Sequence, residues 1–157
     1  MLKIQKGYIR ISMIKEMDNF EINEVMDIWL ETNIVAHGFM PKQYWLDNYD
    51  TVKKHYMPIA KTFIYKEDAV VKAFISIIDN AFIGALFVAK DYQGQGIGLK
   101  LIDYCKSLYS SLELAVYTEN INAVNFYKYC GFVITSEQLN EDSGYKEYLM
   151  AWSKKEP

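Results

Sequence analysis

This chain is poor in several things that would define a function quickly. It has two cysteines, Cys105 and Cys130, and two histidines, His37 and His55, in 157 residues. Two cysteines, both inside helix-like patterns, read as free thiols of a reducing compartment and not as a disulfide framework. No metal is expected. No apolar run reaches membrane-spanning length, so no membrane partner is expected. The opening, Met1-Leu2-Lys3-Ile4-Gln5-Lys6, lacks a long hydrophobic signal region, and a cytoplasmic protein is the expectation. Positive charge is not in excess: the formal net charge is −3. That balance argues against a broad nucleic-acid surface. Repeats and low-complexity tracts are absent. What is abundant is apolar and aromatic residues, 51% and 15% of the chain, enough for one globular domain with a sizeable core.

The informative stretch runs from Val88 to Leu99. A strand-like apolar run enters it, Gly94, Gly96 and Gly98 alternate through it, and an amphipathic helix leaves it. Glycines let successive backbone N–H groups turn inward, and a helix N-terminus adds unpaired donors, so the stretch suits a diphosphate. It is not the dinucleotide fingerprint, which needs G-x-G-x-x-G. Nor is it a P-loop, which needs Gly-Lys followed by Ser or Thr.

Gln93-x-x-Gly96-x-Gly98 instead resembles the Q/R-x-x-G-x-G/A signature of the GNAT N-acetyltransferases. Further on, Asn120-x-x-Ala123-x-x-x-Tyr127-x-x-x-Gly131-Phe132 resembles that family's second motif, in the right order. Trp29-Leu30-Glu31, His37-Gly38-Phe39 and Tyr44-Trp45 are similar to features of its small bacterial members of the YiaC type. The resemblance covers residues 13–153 as a single domain. Residues 1–12 would be an N-terminal extension or an upstream start, and 154–157 a tail.

The resemblance implies an α/β (α+β) GNAT fold. Its mixed, mostly antiparallel twisted sheet would have about six to seven strands, splayed between strands 4 and 5, with about four flanking helices. It implies an enzyme moving acetyl from acetyl-CoA to a primary amine, directly and in a ternary complex. The acceptor is left open between a small amine, a protein lysine and a protein N-terminus. The oligomeric state is open between monomer and homodimer. The diphosphate would lie on Gln93, Gly94, Gln95, Gly96, Ile97, Gly98 and Leu99. The pantetheine arm would meet the backbone of Val88 and the side chain of Asn120, which also suits a helix N-cap. Tyr127 would be the general acid for the leaving thiolate.

The base is the weak point. Gly84 stands where many relatives carry a carboxylate on the fourth strand, and its strand-face neighbours Phe82 and Leu86 accept no proton. His37 is the substitute, as base or as pocket residue, because imidazole titrates near neutrality. Glu31, Glu119, Tyr117 and a water chain are lesser candidates. Trp29, Phe39, Trp45 and Phe82 are expected to line the acceptor pocket, where aromatic walls suit a cationic amine. The competing reading is a non-catalytic acyl-CoA-binding module that kept the cradle and lost the base.

Local patterns supply the elements. Asp18 and Glu21 suit a capping box before a helix marked by Ile22, Val25, Met26 and Trp29. Pro41 opens a second helix with Trp45, Tyr49, Val52, Tyr56 and Ile59 inward. Strands are expected at 13–17, 62–65, 70–78, 81–88 and 112–117, with Asp79-Asn80 as a tight turn. The helix after the glycines turns Ile97, Leu101, Cys105 and Leu108 inward. A short helix spans 122–130, with Gly131 as its C′ residue. Residues 132–135 and 145–152 close the sheet around a polar loop, 136–144.

Overall fold

The computed structural model describes residues 2–5, 8–79 and 81–155. Eight strands form one sheet in the order β1-β2-β3-β4-β5-β6-β8-β7. They are β1 (Leu2–Gln5), β2 (Tyr8–Glu16), β3 (Lys61–Glu67), β4 (Val70–Ile78), β5 (Phe82–Val88), β6 (Ser111–Tyr117), β7 (Val133–Leu139) and β8 (Lys146–Ser153). Four helices flank it: α1 (Ile22–Ala36), α2 (Lys42–Thr51), α3 (Ile97–Leu108) and α4 (Ile121–Tyr129). Every neighbouring pair is antiparallel except β5 and β6, which run parallel through the α3 crossover. The expected mixed sheet is therefore present in β2–β8, and β1 adds a strand to its edge.

Strand alternation sorts the core into two layers. Phe63, Tyr65, Ile75 and Ile77 face α3 and α4, packing with Leu101, Cys105 and Val124. Ile64 and Phe74 face α1 and α2, packing with Val25, Met26, Trp29 and Trp45. β4 lies at the middle with both faces covered, which is why it reads as a continuous apolar run.

The feature that positions the site is a seam. β5 pairs with β4 along its length, from Phe82 to Val88. With β6 it pairs only at Phe82–Glu113 and Ile83–Leu114. Beyond Ile83 the two strands part, and the sheet opens into a wedge that both layers of helices border.

Several local expectations shift. The first core strand, expected at 13–17, is β2 and begins at Tyr8, pairing with β1 inside the segment read as an extension. The second helix does not carry its stripe to the end. The 52–56 turn widens to π geometry, with the Met57 N–H bonding the Val52 carbonyl at 2.9 Å. An extra residue per turn rotates Tyr56 and Ile59 out to solvent and brings Met57 in. His55 lies in that π turn. Leu108, expected inward, is exposed at the last turn of α3. The polar stretch 136–144 is not all loop: Glu137, Gln138 and Leu139 pair with Tyr148, Glu147 and Lys146. Its polarity reflects an edge strand exposed along its whole length. Of the expected Asp79-Asn80 turn, Asn80 lies outside the described residues, and Asp79 has φ +50°.

Candidate active site

The cradle is built at the start of α3. Gly96 is the helix N-cap at φ +79°, and Gly94 has φ +77°. A left-handed N-cap without a side chain leaves the first-turn N–H groups of the helix without local acceptors. No atom lies within 4 Å of where a Cβ would sit on either glycine, so both backbones face open space. Gly98 has a different reason to be glycine: its Cβ would come within 3.3 Å of the Phe126 ring, so the bare backbone lets α3 approach α4. Gln93 turns its side-chain amide back to the Val88 carbonyl at 2.9 Å, tying the loop to the end of β5. Gln95 is exposed and stands outside the cavity lining.

From this cradle a cavity of about 1130 Å³ runs along Leu86–Val88 to α4 and the C-terminal half of α1, with Lys42 and Lys90 on its walls. That is room for a long phosphorylated ligand, since cofactor sites span roughly 300–1,000 Å³. Gly94, Gly96, Ile97, Gly98, Leu99, Val88 and Asn120 all line it. The residues assigned to acetyl-CoA fit a diphosphate head and an extended arm.

A second cavity of about 230 Å³ lies deeper, where β5 and β6 part. Asn120, Ala123 and Tyr127 line both spaces. Tyr127 is 9% exposed, and burial raises its phenol well above the ordinary value, so it stays protonated. Its hydroxyl makes no hydrogen bond to any described residue. Trp29, His37, Trp45, Gly84 and Tyr117 also line the inner cavity. Phe39 and Phe82 do not. Phe39 packs edge-on against His37 and Tyr117, and the Tyr145 hydroxyl donates to its carbonyl at 3.0 Å. Phe82 sits at the closed end of the seam, paired with both Ile78 and Glu113. Of the lesser base candidates, Glu31 is on the outer cavity, Tyr117 on the inner, and Glu119 lines neither.

His37 follows α1 and is buried, stacked on Trp45 with ring centroids 5.0 Å apart. Both ring nitrogens have partners. Nδ1 faces the Asn33 carbonyl at 3.0 Å, which can only accept, so Nδ1 carries the proton. Nε2 then accepts from the Asn120 amide at 3.2 Å. The other end of that amide, Asn120 Oδ1, accepts from the Ala123 N–H at 3.3 Å and caps α4. Burial lowers the His37 pKa, against the opposing pull of the Asn33 carbonyl. The lone pair a base would use is already engaged in fixing Asn120.

One further polar side chain reaches the inner cavity. Glu147 on β8 lines the inner cavity and is 8% exposed. The signal was present as alternation: in the 145–152 strand it falls on the same face as Leu149 and Ala151.

A sheet parted between a parallel pair, with a glycine cradle at the next helix and a tyrosine at the parting, defines an acyl-CoA-dependent transferase of the GNAT type. The chain belongs to that family: a model of the acetyltransferase (GNAT) domain matches residues 41–154. It is 31% identical over 140 residues to the peptidyl-lysine N-acetyltransferase YiaC of Escherichia coli, covering 89% of this chain and 96% of that one. It is 26% identical to the peptidyl-lysine N-acetyltransferase YjaB of the same organism, covering 83% of this chain and 88% of that one. The solution structure of apo YjaB superimposes with a TM-score of 0.80 at 24% identity, covering 92% of this chain and 99% of YjaB. The PaiA N-acetyltransferase of Thermoplasma acidophilum in complex with coenzyme A gives 0.76 at 15% identity, covering 91% and 99%.

Proposed function

We propose that this GNAT acetyltransferase moves the acetyl group of acetyl-CoA to the side-chain amine of a protein lysine. Transfer is direct, with both substrates bound at once. The observation that carries this reading is the continuity of the two cavities at Asn120 and Tyr127. A donor threaded through the outer cavity and an amine seated in the inner one would meet there. Both YiaC and YjaB are named for peptidyl-lysine acetylation, which favours lysine over other amines.

The donor supplies a thioester whose carbonyl carbon is open to attack by a neutral amine. Tyr127 holds its proton through burial and, beside the sulfur, gives it to the leaving thiolate as the C–S bond breaks. Asn120, locked by His37 and the α4 cap, orients the arm. His37 is thus a positioning residue in this mechanism and not the base. With Gly84 on β5 offering no carboxylate, the ammonium gives one proton to water before attack, and the second, shed by the nitrogen as the amide forms, returns through water to the Tyr127 oxygen. We expect Tyr127→Phe to lower turnover by ~10²-fold or more while acetyl-CoA affinity changes little. Wild-type turnover on a lysine peptide would remove Tyr127 from the mechanism. Gly84 is also what favours the second reading, a non-catalytic acyl-CoA-binding module. Acetyl-CoA binding with no release of CoA to any amine would establish that one instead.

A further inference from the structure

Glu147 lines the inner cavity, and no cation among the described residues pairs with its carboxylate. Glu147 stands opposite Tyr117 in the β6–β8 ladder, on the sheet face that α1 and α2 cover. Its Oε1 accepts from the Gln138 amide at 2.7 Å, and its Oε2 from the Asn140 amide at 3.4 Å. Both donors are neutral, and Glu147 makes no ion pair with any described residue. The contrast within the chain is direct. Buried Glu21 contacts Lys15 and Lys66, and buried Glu67 contacts Lys72. Buried charged groups are ordinarily paired, so a buried carboxyl without a counter-charge is a natural partner for a cation.

A second observation points the same way. Trp45, also lining this cavity, is 7% exposed, and its indole N–H is buried with no acceptor among the described residues. Buried polar groups ordinarily find partners, so this wall holds an unspent donor beside the unpaired carboxylate. With Trp29 and Tyr117 beside them, a carboxylate, an unused N–H donor and aromatic faces surround one small space. That is the composition of a site for an ammonium on an apolar stem.

We propose that Glu147 is the specificity-determining residue for the acceptor, pairing with the ammonium of a lysine-type side chain as it enters the inner cavity. The proposal rests on the acetyl-transfer reading for its purpose, but it is tested by binding alone.

The probes are Nα-acetyl-lysine methylamide and its uncharged counterpart Nα-acetyl-norleucine methylamide. They are titrated by calorimetry into the full chain saturated with coenzyme A. Wild type is expected to prefer the lysine probe by about 30-fold or more, as for a desolvated charge pair. Glu147→Gln keeps the shape, removes the charge and should abolish that preference while leaving coenzyme A affinity unaltered. Equal binding of the two probes by wild type overturns the proposal without recourse to a variant. A lysine preference that persists in folded Glu147→Gln, or no lysine binding at all, overturns it too. Acetyl transfer is measured separately on the same lysine probe. Binding of the probe without transfer would reject the enzymatic reading and leave the amine site standing.

Discussion

Replacing Gly96 with alanine separates the strain of a left-handed backbone from the loss of a ligand contact. At φ +79° an L-residue is disfavoured, by about 1–2 kcal/mol. For a chain of this size that lowers the melting temperature by roughly 2–8 °C. Nothing in the protein lies within 4 Å of the new methyl group, so strain is the whole cost to the free protein. A bound diphosphate would meet that methyl where it expects backbone N–H groups. Losing one charge-assisted hydrogen bond, worth about 1.5–3 kcal/mol, raises Kd for acetyl-CoA by about 10- to 150-fold. Gly144→Ala is the control. It has φ +80°, equally open space, and a place in the β7–β8 loop away from both cavities. It should reproduce the thermal loss and leave acetyl-CoA affinity alone. Calorimetry gives the affinity and a thermal scan the stability. If Gly96→Ala binds acetyl-CoA as tightly as Gly144→Ala does, the cradle is not where the diphosphate lies.

Two further predictions concern buried titratable groups. Burial holds His37 below the ordinary imidazole value of 6.5, so the folded state binds fewer protons than the unfolded chain there. Stability should therefore decline as pH falls through that value. His37→Gln should flatten the decline in urea titrations, and identical pH slopes would refute the assignment. Burial alone would raise the Glu21 pKa, but its bonds from Lys15, Lys66 and the Asp18 N–H outweigh that and hold it at about 2. Its contribution is complete above pH 4.5 and fades as pH falls toward about 2. Glu21→Gln should cost about 3 kcal/mol near neutrality and far less in acid, checked by denaturation at both extremes.

Much of this was legible because glycine and capping residues have narrow conformational roles. Gly131 has φ +93° at the C′ position of α4, and Asp18 and Glu21 form the reciprocal capping box, as their spacing predicts. Periodicity failed where geometry departs from its assumed period: the π turn at 52–56 and the widely exposed edge strand β7. The site was harder. Tyr127 and Asn120 were visible through motif resemblance, and both reach the junction of the cavities. Phe39 and Phe82 are aromatic and near the right elements, but that does not determine the direction of a ring. Glu147 was missed because its meaning depends on β8 lying beside β6, a neighbour relation between strands far apart in the chain. His37 was seen as a titratable group, but its role depends on Asn120, 83 positions away.

The two ladder pairs between β5 and β6 divide the sheet into unequal leaves, β1–β5 and β6–β8, joined along a short hinge-like margin. A molecule lying in the wedge touches both leaves at once and so acts as mortar between them. Its binding free energy then adds to the cohesion of the fold, growing with ligand concentration as any linkage does. A cosubstrate bound there would thus help hold the walls of its own site together, and the stability of the folded chain would rise with its concentration.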